Sequence, residues 1–278
     1  MEKESIMQLS ALAHPQRLEV FRLLMRRFPQ SVAAGDLAEA LHTPRSTLSP
    51  YLSSLRTAGL VTQERDGTSL LYRAAPEGAE RLIDFLFRDC CRGRPDLCLP
   101  LVNRKAEGMT PDKTFNVLFV CTGNSARSIF AETLLRAEGE GRFNAFSAGT
   151  APRSELNPLA LDLLRSKGHD VSCLRAKNID EFRDPGAPQM DFVFTVCDRA
   201  ANEECPPWSG QPITGHWGQP DPVKAEGTEA EKKLAFQHVY GALRNRIRAF
   251  AALPFESLDK ARLQARIDDI TDMDTSTS

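Results

Sequence analysis

A short loop with a cysteine at one end and an arginine at the other sets the strongest limit on the fold. The apolar run Val117–Val120 leads straight into Cys121-Thr-Gly-Asn-Ser-Ala-Arg127-Ser128, and a helix-like pattern of apolar residues follows at once. The apolar run predicts a buried strand, and the later periodicity predicts a helix. This order favours an α/β fold in which a parallel sheet carries the loop.

The composition of the loop predicts a site for a tetrahedral oxyanion. Backbone N–H groups converge on one point, next to the positive end of the helix, from Thr122, Gly123, Asn124, Ser125 and Ala126. The Arg127 guanidinium matches two oxyanion oxygens. We expect the same positive field to lower the pKa of Cys121, which would then be a nucleophilic thiolate at neutral pH. Ser128 can donate to the sulfur, and Gly123 allows close approach of the backbone to a ligand.

Strands and helices alternate after residue 114. The predicted strands are Asn116–Val120, Phe143–Ala148 and Phe192–Val196, and the predicted helices are Ser128–Glu138, Pro158–Lys167 and Thr228–Ala251. We therefore expect an α/β domain with a central parallel sheet over residues 114–255. A C-terminal helix and a frayed tail are expected over 256–278.

The first third of the chain has a helical period instead. Apolar residues recur at Leu18, Phe21 and Leu24/Met25, at Leu37, Ala38 and Leu41, and at Leu48, Leu52 and Leu55. The second and third groups are spaced as a helix-turn-helix, with Thr43 as the expected N-cap, Pro44 at the first helical position and Gly59 at the end.

A hairpin and a closing helix complete this domain. Leu60–Arg65 and Thr68–Arg73 flank Asp66-Gly67, a pair typical of two-residue hairpin turns. A last helix is predicted over Pro76–Asp89, with Leu82, Ile83, Leu86 and Phe87 turned inward. Residues 1–98 are thus predicted to form a winged helix-turn-helix, mainly α with a β-hairpin wing, and residues 99–113 to form a linker.

Length, net charge and cysteine content restrict the classes of function that this chain can have. A chain of 278 residues has room for two domains, and its net charge of −2 excludes a polybasic nucleic-acid tail but not a small DNA-reading domain. No apolar run approaches 18 residues and no signal-peptide core follows Met1, so we expect a cytoplasmic protein with no membrane partner. Seven cysteines in a reducing compartment then indicate catalytic, redox or metal-binding roles.

The loop, together with Ala131-Glu132 and Ser147-Ala148-Gly149-Thr150, resembles the low-molecular-weight tyrosine phosphatase superfamily over roughly residues 115–253. The resemblance implies a general acid at Asp221, in Asp221-Pro222. Cys197, Cys205 and the His216-Trp217-Gly218 segment are similar to the thioredoxin-coupled arsenate reductases of that superfamily. Val223-Lys224 stand where the phosphatases carry tyrosines that stack on an aryl ester, which argues against a phosphotyrosine substrate.

The resemblance to the reductases implies a cysteine relay. Cys121 attacks arsenate, Cys197 then attacks Cys121 and releases arsenite, and Cys205 forms the disulfide that thioredoxin or a similar thiol reduces. Ala126 stands where some members have a further cysteine. Glu132 and Ser147 fall where some reductases hold a structural potassium ion, and Cys173 has no assigned role. No organic cofactor is implied. The alternatives are a low-molecular-weight protein tyrosine phosphatase and a regulator with a non-catalytic oxyanion-sensing domain.

The segments His14-Pro15-x-Arg17-Leu18 and Leu55–Val61, with the helix-turn-helix, resemble the ArsR family of metal-sensing repressors over roughly residues 6–98. The resemblance implies operator DNA as a partner and a homodimer formed through this domain. Candidate base readers on the second helix are Arg45, Ser46, Thr47, Ser49 and Tyr51. On the wing, Arg65 and Arg73 are expected to touch phosphates. Pro50 is expected to bend the recognition helix. The alternative is a winged helix used only for protein contacts.

Cys90, Cys91 and Cys98 follow the last helix of this domain. Three thiolates suit trivalent arsenic or antimony, whereas zinc would need a fourth ligand. We therefore expect As(III) or Sb(III) as an effector here. The sequence as a whole predicts a bifunctional arsenic-resistance protein, in which an arsenite-responsive transcriptional repressor is fused to an arsenate reductase.

Overall fold

The computed structural model describes residues 2–90, 113–184, 186–203, 208, 210, 212–258, 260–271 and 273. The chain divides into two compact units, residues 1–107 and 108–278. The division falls inside the predicted linker, most of which lies outside the described residues. No helix in the described part is both long and apolar enough to cross a membrane.

The first unit is a winged helix-turn-helix, as predicted. Its helices are α1 (Glu2–Leu12), α2 (Pro15–Arg27), α3 (Ala34–Ala40), α4 (Arg45–Thr57) and α5 (Pro76–Phe85), and α5 continues into a π-helical turn, Leu86–Cys90. Its strands are β1 (Val32–Ala33), β2 (Val61–Asp66) and β3 (Ser69–Ala74), and they form an antiparallel sheet in the order β1–β3–β2. Helix α1 and strand β1 were not predicted.

The helix-turn-helix is held by buried leucines on α3 and α4, which include Leu37 and Leu52. Helix α4 ends where predicted, because Gly59 has φ +68° and Leu60 N donates to Leu55 O at 3.0 Å. The N-cap prediction was wrong. Pro44 caps the helix with an extended backbone, and the Thr43 hydroxyl donates back to Leu41 O instead.

The wing differs from prediction by one residue. Asp66 pairs with Ser69, so the turn residues are Gly67 and Thr68 rather than Asp66 and Gly67. The cause is the φ of +56° at Gly67, which glycine adopts without steric cost. On α5, Leu82 is buried as predicted, but Ile83 is 66% exposed, because successive side chains of a helix point about 100° apart. Leu86 and Phe87 are half-buried.

The second unit is the predicted α/β domain. Its strands are β4 (Phe115–Cys121), β5 (Phe143–Gly149), β6 (Phe192–Thr195) and β7 (Ile213–His216), all parallel in the order β5–β4–β6–β7. Its helices are α6 (Arg127–Glu138), α7 (Pro158–Ser166), α8 (Asp198–Asn202), α9 (Glu229–Ala251) and α10 (Lys260–Thr271). Strand β7 and helix α8 were not predicted, because four or five residues show no usable period.

Aromatic side chains form much of the core around this sheet. The Phe194 and Trp217 rings stack with their centroids 4.0 Å apart, and the Phe250 ring of α9 meets the Phe194 ring edge-on. Helix α9 begins with a capping box, in which Thr228 and Glu231 exchange hydrogen bonds. The aromatic core packs against the sheet, and because the strands are parallel their carboxyl ends lie at one edge.

Candidate functional site

Parallel pairing brings the predicted chemical groups of the second unit together. Val120 of β4 pairs with Thr195 of β6, and Thr195 pairs with His216 of β7. Cys121, Cys197 and the loop that carries Asp221 therefore emerge at the same edge of the sheet, where ligands bind in open parallel sheets. They line one pocket of about 440 Å³, together with Thr122, Gly123, Ser125, Ala126, Arg127, Arg153, Arg199, Gln219, Val223 and Lys224.

The segment that follows β5, residues 150–157, hydrogen-bonds to the backbone carbonyls of the cysteine loop, residues 121–127. The carbonyls of Cys121, Thr122, Gly123 and Ser125 accept from the N–H groups of Thr150, Ala151, Arg153 and Asn157 at 2.9–3.1 Å. Gly149 allows this close approach, since a Cβ there would lie 2.6 Å from Thr122 O. A loop whose carbonyls are satisfied from outside keeps its N–H groups available to an anion.

Asn124 links the cysteine loop to neighbouring elements through buried hydrogen bonds. Its φ of +42° gives the loop its left-handed turn, and its fully buried side chain donates to Ser128 Oγ at 2.8 Å and Ser147 Oγ at 2.9 Å. Its Oδ1 accepts from Lys177 N at 2.7 Å. Close approach of the backbone to a ligand was predicted at Gly123, whereas the positive φ, which was not predicted, belongs to Asn124. Asparagine tolerates this region, which is the signal that could have identified it.

The Cys121 thiol lies at the base of the pocket. Its Sγ is 2.9 Å from Ser128 Oγ and accepts from Asn124 N at 3.2 Å. Burial, followed by the charge of Cys197, raises the pKa of Cys121, and this outweighs the lowering by Ser128 and Arg127. The predicted thiolate at neutral pH is therefore not supported, because the positive groups around the sulfur do not offset its desolvation.

Arg127 connects the cysteine loop to the loop that carries Asp221. Its Nη1 donates to Gln219 O at 2.9 Å, and its Nη2 lies 3.1 Å from Asp221 Oδ2. Asp221 is partly exposed at the start of a 3-10 turn, where its Oδ1 accepts from Val223 N at 3.3 Å. The predicted anion ligand and the predicted general acid are thus in direct contact.

The second relay cysteine lies in the same pocket. Cys197 caps α8, with its buried Sγ accepting from Ala200 N at 3.4 Å, and Thr122 Oγ1 lies 3.5 Å from the same sulfur. Cys205 lies outside the described residues. Cys173 is exposed on another surface and accepts from Arg136 Nη1 at 3.2 Å.

His216, identified in the sequence only as part of the His216-Trp217-Gly218 segment, is buried and has a structural role that was not predicted. His216 Nδ1 lies 2.8 Å from Thr195 Oγ1, and its Nε2 lies 3.1 Å from Asp198 Oδ1. Asp198 is the first residue of α8, so this bridge ties the helix that Cys197 caps to strands β6 and β7. Glu132 and Ser147, the predicted potassium ligands, are hydrogen-bonded to each other beside Asn124.

In the first unit, the predicted DNA readers all lie on α4. Arg45, Ser46, Thr47 and Ser49 are exposed, whereas Tyr51 is half-buried with its ring 5.1 Å from the His14 ring. Helix α4 continues through Pro50 to Thr57, so the proline does not end it. On the wing, Arg65 is exposed and donates from Nε to Gly67 O at 3.2 Å, and Arg73 is also exposed.

Of the three predicted effector ligands, the structure describes one. Cys90 is exposed in the π-helical turn that ends the first unit's described part, whereas Cys91 and Cys98 lie outside the described residues. Within the described part, no group of three or more His, Cys, Asp or Glu side chains is arranged to hold a metal ion.

Comparison with known proteins agrees with this division. Residues 116–264 match the family model "Low molecular weight phosphotyrosine protein phosphatase", and residues 14–63 match "Bacterial regulatory protein, arsR family". An arsenate reductase of Bacillus licheniformis is 38% identical over 136 residues, which cover 49% of this chain and 94% of that protein. One from Bacillus subtilis is 36% identical over 135 residues, with the same coverage. A solved arsenate reductase from Archaeoglobus fulgidus aligns with a TM-score of 0.40 and 22% identity, over 49% of this chain and 99% of that one.

Proposed function

The chain belongs to the low molecular weight phosphotyrosine protein phosphatase family, and from this premise we propose that its second unit reduces arsenate to arsenite through a relay of three cysteines. The observation that carries the proposal is that Cys121 and Cys197 line one pocket together with Arg127 and Asp221. A phosphatase needs no second thiol, because water hydrolyses its cysteinyl phosphate. A reductase must supply two electrons, and thiols can do so.

In the first step, the loop N–H groups and Arg127 bind arsenate with its arsenic atom facing Cys121 Sγ. The thiol proton passes to an oxygen of the bound arsenate, and the sulfur bonds to arsenic as one arsenic–oxygen bond breaks. Asp221 protonates the departing oxygen, which leaves as water. The bound anion competes with Asp221 for Arg127, because both are negatively charged ligands of one guanidinium.

In the second step, the Cys197 thiolate attacks Cys121 Sγ. A Cys121–Cys197 disulfide forms, the sulfur–arsenic bond breaks, and its electron pair remains on arsenic, which leaves as arsenite. Cys205 then attacks Cys197, which frees Cys121 and leaves a Cys197–Cys205 disulfide. An external dithiol such as thioredoxin reduces that disulfide and returns the enzyme to its starting state.

The test is turnover with arsenate, thioredoxin, thioredoxin reductase and NADPH. We expect arsenate-dependent NADPH oxidation in the full chain, and its loss in Cys197→Ser with p-nitrophenyl phosphate cleavage retained. Cys173→Ser, which changes the exposed cysteine away from the pocket, is the matched control and keeps both activities. No NADPH oxidation with rapid ester cleavage would favour a phosphatase, and neither activity with retained arsenate binding would favour an oxyanion sensor.

For the first unit, we propose a homodimeric repressor that releases operator DNA when As(III) or Sb(III) binds Cys90, Cys91 and Cys98. The exposed polar face of α4 and the match to arsR-family regulators support DNA binding. The exposed apolar side chains Ile6 and Met7 on α1 and Ile83 on α5 support a dimer interface. Three soft thiolates suit a trivalent arsenic or antimony ion.

Binding to DNA from upstream of the protein's own coding sequence tests this proposal. We expect arsenite to release the protein, and Cys90→Ser/Cys91→Ser to bind the same DNA without release. Cys173→Ser again serves as the control and should respond as the wild type does. A double variant that still responds to arsenite would rule out the three-thiol site, and absence of DNA binding would favour a winged helix used for protein contacts.

A further inference from the structure

A buried carboxylate behind the oxyanion loop is already paired with cations from the chain. Glu132 is 1% exposed, and its Oε2 accepts from Lys177 Nζ at 3.0 Å and from the Ser147 hydroxyl. Its Oε1 accepts from Arg136 Nη2 at 2.5 Å. Lys177 is itself nearly buried and also donates from Nζ to Arg175 O at 3.3 Å. A buried charge in a protein is stable only when it is paired and hydrogen-bonded in this way.

Lys177 is linked to the cysteine loop through its backbone N–H and through its side-chain ammonium. Its backbone N–H donates to Asn124 Oδ1 at 2.7 Å. Its ammonium holds Glu132, which accepts from Ser147, and Ser147 Oγ accepts from Asn124 Nδ2 at 2.9 Å. Asn124 N in turn donates to Cys121 Sγ at 3.2 Å. The ammonium is thus three hydrogen bonds from the residue that shapes the loop.

A potassium ion does not fit this arrangement. The oxygens expected to ligate it are those of Glu132 and Ser147, and Glu132 Oε2 already faces the Lys177 ammonium at 3.0 Å. A second cation on the same oxygen would lie within a few ångströms of the first, where like charges repel strongly in a buried, low-dielectric setting. The expectation of a structural potassium ion at these two residues is therefore not supported.

We propose that Lys177 is a positioning residue that supplies the cation of this site from within the chain, so that oxyanion binding needs no monovalent metal ion. The ammonium neutralises Glu132 and thereby fixes Ser147 and Asn124. Asn124 then presents the loop N–H groups in the geometry that an oxyanion requires. The inference rests on the proposed oxyanion chemistry, but it concerns binding and is testable without arsenate turnover.

The test uses the full chain in potassium, sodium and tetramethylammonium chloride at matched ionic strength. Phosphate affinity is read from protection of Cys121 against iodoacetamide, with the labelled cysteine identified by peptide mass spectrometry. We expect wild-type affinity to be equal in the three salts. We expect Lys177→Met to bind phosphate about tenfold more weakly in tetramethylammonium, with recovery in potassium. Lys177→Arg restores the charge and binds as the wild type does, and Lys167→Met, an exposed lysine on the same unit, is the matched control.

Two results would overturn the inference: a wild-type protein whose phosphate affinity rises in potassium, or a folded Lys177→Met variant with unchanged affinity in all salts. If Lys177→Met does not fold, the inference is still tested by the wild type and Lys177→Arg in the three salts. A phosphate affinity that depends on the salt in either protein would contradict a cation supplied by the chain. Failure of the proposed reductase activity would appear separately, as salt-independent phosphate protection without arsenate-dependent NADPH oxidation.

Discussion

Arg127 Nη2 lies 3.1 Å from Asp221 Oδ2, so the anion-binding arginine and the proposed acid form an ion pair in the pocket. The two residues come from different loops, one after β4 and the other after β7. Their contact means that an oxyanion entering the pocket meets a guanidinium that already has a partner. Binding then redistributes the hydrogen bonds that Asp221 and Gln219 O make with Arg127.

Asp221→Asn tests the acid directly. We expect kcat for arsenate to fall about 10²- to 10⁴-fold, the range that positioned proton transfer contributes. KM is expected to change little, because asparagine can still accept from Arg127. Steady-state rates in the NADPH assay give both constants. Asp162→Asn, on the exposed face of α7, is the control and keeps wild-type kinetics. Equal kcat in Asp221→Asn and the wild type would remove Asp221 from the mechanism.

The pH dependence of Cys121 alkylation follows from its environment. Burial raises the pKa of this thiol, so the reactive thiolate is scarce at neutral pH and becomes abundant as the pH rises. We expect the iodoacetamide rate at Cys121 to increase with pH, with a midpoint above the value of about 8.5 for a free thiol. Ser128→Ala removes a hydrogen bond that lowers the pKa and shifts the midpoint higher. Cys197→Ser removes a charge that raises the pKa and shifts it lower.

One outcome of the same measurement would contradict the predicted pH dependence. A midpoint well below that of a free thiol in the unliganded protein would show that the loop dipoles and Arg127 dominate over burial. Exposed Cys173, mapped in the same digest, gives an internal comparison for each pH.

The reactive groups of the site can be predicted from the sequence more readily than the residues that hold them in position. Cys121 and Arg127 could be identified because they are close in sequence and lie between a clear strand and helix. The link between Asn124 and Ser147 spans 23 residues, and that between Lys177 and Asn124 spans 53, so no local pattern reveals either. Strand β7, which places Asp221, is too short for its period to show. The sign of the Cys121 pKa shift also depended on burial, which is a property of the assembled fold.

Two helical glycines make a matched pair for stability. A Cβ on Gly78 would lie 2.1 Å from Gly59 O, where α5 packs against the end of α4. Gly78→Ala is therefore expected to destabilise the first unit by about 1–3 kcal/mol, the usual cost of overpacking. A Cβ on Gly241, in α9, meets nothing within 4 Å, so Gly241→Ala is expected to stabilise the second unit by about 0.5–1 kcal/mol. Chemical denaturation followed by circular dichroism measures both, and the same sign for both would contradict the packing argument.

Glu138 links α6 to α9 and gives a pH-dependent contribution to stability. Hydrogen bonds from Arg244 and Arg248 lower its pKa. The carboxylate therefore stabilises the fold above its unfolded pKa of about 4.3, and this contribution is lost as the pH falls toward the folded pKa. Because the arginines are partly exposed, we expect Glu138→Gln to cost only about 0.5–1 kcal/mol at pH 7.

The measurement is the free energy of unfolding of the second unit, followed by tryptophan fluorescence, since both tryptophans, Trp208 and Trp217, belong to that unit. The difference between Glu138→Gln and the wild type should shrink in acid. Glu155→Gln, an exposed change in the same unit, is the control and should match the wild type throughout. A difference that persists unchanged in acid would mean that the side chain acts through packing rather than charge.

The wing and the recognition helix are expected to contribute to DNA binding in different ways. Arg65 is exposed on β2 and suits a phosphate contact, so Arg65→Ala should weaken binding to all duplexes and reduce the salt slope by about 1. Thr47 is exposed on α4, so Thr47→Ala should lose about 1–3 kcal/mol of preference for the specific site over a scrambled duplex. Fluorescence anisotropy across a salt series measures both quantities, with Arg88→Ala, an exposed arginine far along the chain from the wing, as the control. If Arg65→Ala altered sequence preference while leaving the salt slope unchanged, the wing would read bases rather than phosphates.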